Sequence, residues 1–228
     1  MSGKITALEV QKRNKERVNV YLDGDYAFSV DLMSAARLRK GQVLSTAEVA
    51  SLRDEDVVSK AFERSIRYLA TRPRTVQEIR RKLKQKETPD NAIEIVIARL
   101  EDHGYVNDAE FARLWIRNRS EFSPRGPMSL RSELRSKGVS QAIIDEVLTD
   151  LGTTELAMQA ARQKVSSLRG LDQFTFRKKL SSFLGRRGFK YDTIREVIDV
   201  LIDELENNPE MDHSEIFFQD PMDDIIEE

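Results

Sequence analysis

The chain has 228 residues, 39% of them hydrophobic and 33% charged, and no cysteine. That is enough apolar material for a core in one large or two modest domains, and it excludes disulfide frameworks and thiolate metal centres. The net charge of −2 hides a segregation: residues 1–59 carry 9 basic and 9 acidic side chains, 60–200 carry 28 and 19, and 201–228 carry none and 11. A neutral head, a basic middle and an acidic tail imply a surface suited to polyanions beside a segment able to compete for it. No apolar run reaches the length of about 18 residues that a membrane helix needs, and no signal-peptide core follows Met1-Ser2-Gly3-Lys4, so a soluble cytoplasmic protein is expected.

The head, residues 1–59, reads as a small antiparallel sheet of three strands. Apolar and polar residues alternate over Ile5–Val10 and Arg17–Leu22, and Asp23-Gly24-Asp25 supplies a turn before Tyr26–Val30. A short helix over Asp31–Leu38 ends before Gly41, and Ser45 or Thr46 with Glu48 forms the capping signature of another. Beyond it the spacing predicts helices over Val57–Thr71, Val76–Lys86 with Thr75 as cap, and from Asp90 to Leu100. Asn107-Asp108 caps a helix bearing Phe111, Ala112, Trp115 and Ile116. Ser123-Pro124-Arg125-Gly126-Pro127 then makes a stiff turn. A last helical set begins near Thr153-Thr154, is divided at Leu171-Asp172-Gln173 and Gly188-Phe189-Lys190, and ends with a helix over Asp192–Leu205.

One motif organises this middle region. With Leu83, Leu134 and Leu184 aligned, Ile79, Leu130 and Leu180 stand four residues before, and Ile93, Ile144 and Ile194 ten after. Ile97, Leu148 and Ile198 follow in the same register, as do Leu100, Leu151 and Leu201. A three-helix unit is therefore used three times, over residues 60–106, 107–152 and 153–205, and such arrays serve as extended binding surfaces.

Basic side chains cluster on the second helix of each unit. Arg80, Arg81, Lys82, Lys84 and Lys86 lie in the first, Arg131, Arg135 and Lys137 in the second, and Arg177, Lys178, Lys179, Arg186 and Arg187 in or just after the third. Arg80 with Lys84, and Arg131 with Arg135, are one turn apart and project from one face. Lys86, Lys137 and Arg187 also sit where a helix C-terminus favours cations, and the two roles can coexist. Arg125, between Pro124, Gly126 and Pro127, is held away from any helix as either a preset contact or a rigid connector. Trp115 falls on the packed stripe with Phe111 and Ala112, so core filling is expected rather than base stacking. Tyr105 is expected to pack at the junction of two units. His103 and His213 lack metal-ligand spacing, and there is no phosphate-binding loop, dinucleotide fingerprint or nucleophile elbow, so neither catalysis nor a cofactor is expected.

The run Gly104-Tyr105-Val106-Asn107-Asp108, Phe111-Ala112, Trp115, Gly126, Leu130, Glu133-Leu134 and Lys137-Gly138-Val139 resembles the RecX family of bacterial regulatory proteins. Tyr68-Leu69-Ala70, Arg72, Arg74, Glu78-Ile79 and Lys82-Leu83 resemble that family's first repeat. The resemblance implies a mainly α fold, with three tandem helix-turn-helix-like units in a curved right-handed array behind a small N-terminal β segment. It also implies a modulator of the RecA recombinase, chiefly an inhibitor, that binds the filament on single-stranded DNA. The basic second helices by themselves argue for contact with phosphates of single- and double-stranded DNA without sequence preference, and a monomer is expected. Any ATP use would belong to the recombinase. Candidate partner or DNA contacts are Arg74, Arg80, Arg81, Lys84, Arg117, Arg125, Arg131, Arg135, Lys137, Lys178, Arg186 and Arg187. A helix-turn-helix DNA-binding repressor is the alternative; it would need sequence-specific readout and usually dimer symmetry. The tail, 206–228, departs from the family pattern and is expected to be disordered, acting either as a nucleic-acid mimic that folds back on the basic repeats or as a solubilising end.

Overall fold

A computed structural model describes residues 2–207, and the expectations for the acidic tail lie outside these residues. The chain divides between Asn107 and Asp108 into two compact units. In the first, β1 (Gly3–Val10), β2 (Arg17–Leu22), β3 (Asp25–Asp31) and β4 (Val43–Leu44) form one antiparallel sheet in the order β3-β2-β1-β4. The fourth strand, too short to show a period, is an addition to the three the alternation predicts. Asp23 and Gly24 both have positive φ, the geometry of a two-residue hairpin that follows the strand twist. The pairs Val18 with Val30 and Val20 with Phe28 put one apolar face inward, joined by Ile5, Leu22 and Leu44. The short helix α1 (Leu32–Ala35) is capped by Asp31 and stops well before Leu38.

The next helix corrects the expected break. α2 runs unbroken over Thr46–Leu69, because its 24 residues contain neither glycine nor proline to stop it. Ser45 caps it, with the Glu48 backbone N–H donating to Ser45 Oγ and the Ser45 N–H to the Glu48 carboxylate. Its first half covers the sheet through Val49 and Leu52, and its second half joins the first repeat through Val58 and Ala61. Residues 59 and 60, the expected boundary, both lie inside it. Arg17 of β2 and Asp56 of α2 form a buried ion pair, with Ser29 Oγ accepting from Arg17 and Lys60 Nζ 2.6 Å from Asp56. The sheet, which is marginal alone, is thus fastened to the helix by both apolar and ionic contacts.

The repeats fold as three-helix units. In the first, α3 (Val76–Lys84) and α4 (Asp90–Asp102) pack on α2, and Thr75 and Glu78 form a second capping box. The second unit comprises α5 (Asp108–Phe122), α6 (Pro127–Ser136) and α7 (Gln141–Leu148). The third comprises α8 (Thr153–Val165), a 3-10 turn at Ser166–Leu168, α9 (Gln173–Arg186) and α10 (Tyr191–Glu206). Leu83, Leu134 and Leu184 are buried at the centre of three separate cores, together with the isoleucines ten residues later. Each anchor is followed by one helix-ending pattern. The N–H of Thr88, Val139 or Phe189 donates to the anchor carbonyl, and the residue before it, Glu87, Gly138 or Gly188, has positive φ.

Candidate functional site

The second helices α3, α6 and α9 place the candidate cations, and their surroundings differ by unit. Arg80 on α3 makes a two-pronged contact with Glu94 on α4, Nε and Nη2 donating over 2.9 and 2.8 Å. Lys84 lies 3.0 Å from Asp90. At the matching places of the second unit Arg131 on α6 reaches Asp145 on α7 at 3.4 Å, and Arg135 donates to Gln141 at 2.8 Å. The paired cations therefore also clamp each second helix to the third. The Glu94 carboxyl is held below the ordinary carboxylate range by the hydrogen bond from Arg80, and that of Asp145 by hydrogen bonds from Gln141 and Arg131. The third unit breaks the pattern, since Ser181, Gly185 and Arg195 occupy the places of Arg80, Lys84 and Glu94.

An aromatic ring flanked by two cations recurs in all three units. Arg74 lies 3.8 Å from the Tyr68 ring centroid and donates to its hydroxyl, with Lys82 at 5.6 Å. Trp115 lies between Arg119 at 4.8 Å and Lys137 at 5.0 Å, and Phe183 between Lys164 at 5.7 Å and Arg187 at 4.5 Å. Trp115 Nε1 and Arg119 Nε both donate to one Glu133 oxygen at 2.7 Å, while the ring packs against the core of its unit. Core filling is thus its role, as its spacing predicts. Such contacts hold the cations at fixed places with part of their surface open. Tyr105 is not a packed junction residue: it is 54% exposed and stacks on His103, with Phe62 edge-on.

The Arg125 turn is also placed differently from expectation. It docks on the end of α9 rather than standing clear. Gly126 N–H donates to the Arg187 carbonyl at 2.8 Å, Met128 N–H to the Gly188 carbonyl at 3.2 Å, and Arg187 Nη1 to the Pro124 carbonyl at 3.0 Å. A Cβ at Gly126 would stand 2.3 Å from the Gly188 carbonyl oxygen, so the two backbones touch only because both residues are glycine. Arg187 is less readily protonated than usual, through burial and the nearby Arg125 charge. Arg125 itself is half-buried, 3.9 Å from Glu133. Of the other candidates Arg81, Arg117, Lys178 and Arg186 are exposed, the last bonded to Ser182. Arg119 and Lys164, held against Trp115 and Phe183, are functional candidates that spacing alone did not mark; the acids at Glu94 and Asp145, both eleven residues after the anchor, were a readable sign of the clamps.

Three-helix units in tandem, each with a basic second helix, define a modular helical-repeat protein. Residues 3–45 match the regulatory protein RecX N-terminal domain, and residues 61–100, 107–148 and 153–198 match the first, second and third three-helix domains of RecX. Regulatory protein RecX of Bacillus velezensis is 35% identical over 213 residues, 91% of this chain and 81% of the relative. That of Bacillus subtilis is 35% identical over 210 residues, 90% and 78% respectively. A crystal structure of regulatory protein RecX aligns with 86% of this chain and 99% of its own at 31% identity and a TM-score of 0.74. RecX from Lactobacillus salivarius aligns with 64% and 97% at 25% identity and 0.58. The chain belongs to the RecX family of regulatory proteins. Among the described residues no helix is long and apolar enough to cross a membrane.

Proposed function

We propose that this protein regulates a RecA-type recombinase by binding its filament on single-stranded DNA and restraining strand exchange. The observation that carries the reading is the repetition itself: one chain presents three related units, each with a basic second helix, to a partner that is also a repeating polymer. Simultaneous engagement of several filament subunits would supply affinity without a deep pocket, because each further contact is intramolecular once the first has formed. Family membership gives the regulatory class, and the resemblance of the motifs supplies the recombinase as the partner. Phosphate neutralisation is the second contact, independent of base sequence and weakened by salt.

The test pairs two measurements on the full chain. Recombinase strand exchange on single-stranded DNA should fall as the protein is added, and binding to unrelated oligonucleotides should be similar in strength. Tight binding to one duplex operator, with no effect on the recombinase, would instead establish a helix-turn-helix repressor.

A further inference from the structure

We infer that the exposed face of α9 is the part of this chain that holds single-stranded nucleic acid, with Phe174 as a stacking platform for a base. This deepens the phosphate contact of the proposed function by assigning it to the third unit rather than to the equivalent helices of the other two.

Several independent features converge on α9. Its sequence, QFTFRKKLSSFLGR, has no acidic residue. In the first two units a carboxylate eleven residues after the anchor leucine turns the cation of the second helix inward; in the third that place is Arg195, the cation is replaced by Ser181, and α9 is clamped instead through Arg177, whose Nη1 donates to Asp199 on α10 at 2.5 Å. Lys178 and Lys179 are exposed and have no carboxylate partner among the described residues, and Arg186 bonds only a hydroxyl, Ser182 Oγ. Phe174, Lys178, Ser182 and Arg186 follow one another at one-turn intervals along about 18 Å of helix.

Two features have no use inside the unit. Phe174 is 75% exposed while Phe176 fills the core, so burial does not account for the first ring. A Cβ at Gly185 would meet nothing within 4 Å, so no neighbour in the fold requires a glycine there. A stripe of cations and small side chains that carries no acid of its own, with a bare aromatic at one end, fits a phosphate backbone lying along the helix, with one base stacked on the ring. Duplex DNA, whose bases are already stacked on one another, would gain the phosphate contacts but not the ring.

The test is anisotropy of a labelled oligothymidine titrated with the full-length protein, without recombinase, at several salt concentrations. Replacing Lys178, Lys179 and Arg186 together by alanine should weaken binding at least tenfold and flatten the plot of log affinity against log salt by about 2, from roughly 0.7 per phosphate neutralised on a single strand. Phe174→Ala should weaken oligothymidine binding about fivefold or more at unchanged salt slope, and leave duplex binding alone. Lys12→Ala with Lys15→Ala, both exposed between β1 and β2, should leave the slope as it is. Circular dichroism melts of each variant matching the parent keep the comparison one of contact rather than folding; Lys178→Arg with Lys179→Arg, which keeps the charge, should bind as the parent does. An unchanged salt slope in the triple variant, or equal loss of duplex and single-strand binding in Phe174→Ala, would overturn the assignment. Because no recombinase is present, that result would leave filament regulation standing, whereas loss of filament regulation alone would leave this site standing.

Discussion

Glu87 occupies the place that glycine fills in the other two units. It stands four residues after its anchor leucine, as Gly138 and Gly188 do, and takes φ of 56° where they take 86°. A non-glycine residue in the left-handed region costs roughly 1–2 kcal/mol, which the hydrogen bond from Thr88 N–H to the Leu83 carbonyl helps to offset. Glu87→Gly should therefore stabilise the chain by up to about 1 kcal/mol, part of the gain being lost to the greater freedom of the unfolded glycine. Urea denaturation would read this as a higher midpoint at unchanged slope, and a lower midpoint would contradict it. Gly188→Ala should act oppositely. Its new Cβ would lie 2.4 Å from Ser129 N at φ of 86°, so destabilisation of about 1–3 kcal/mol is expected, confined to the unit that begins at Asp108. At this scale the sequence marked Gly188 as a division between helices. It did not mark the meeting of Gly126 with Gly188, because two glycines distant in sequence give no period that reveals their contact.

Among the elements, the clamps between second and third helices make a prediction about acid. Glu94 and Asp145 have depressed folded-state pKa values, so their stabilising contribution is present above the unfolded carboxylate value of about 4 and is lost as pH falls through the lower folded value. Melting temperature should drop on acidification through this range, and the drop should be smaller in Glu94→Gln with Asp145→Asn. An identical pH profile for that double variant would remove the clamps from the account. The pair between β2 and α2 belongs to a different regime, because Arg17 and Asp56 side chains are only 7% and 11% exposed. Asp56→Ala strands a buried guanidinium and should cost about 3–5 kcal/mol by chemical denaturation, whereas a loss below about 1 kcal/mol would show the pair to be replaceable. The helices of all three repeats were legible from apolar spacing and caps. The continuity of α2 was not, since its pattern changes halfway from covering a sheet to covering helices, and a change of partner looks like a change of element.

Across the molecule, the threefold register of Leu83, Leu134 and Leu184 describes shared architecture, whereas the charges describe divergence. Each unit commits a cation of its second helix to an internal clamp, Arg80, Arg131 or Arg177, but α9 carries no acid of its own and keeps Lys178 and Lys179 exposed. Candidate contacts were legible as residue types, because basic clusters survive translation into structure. Which of them remain open was not, since that depends on acids brought alongside from another helix. The central claim is that this chain acts on a recombinase filament, and single-molecule imaging of filament growth on single-stranded DNA tests it most directly. The account predicts that added protein slows net filament growth, with an effect that weakens as salt rises. Filaments that grow and persist identically with and without saturating protein would contradict it.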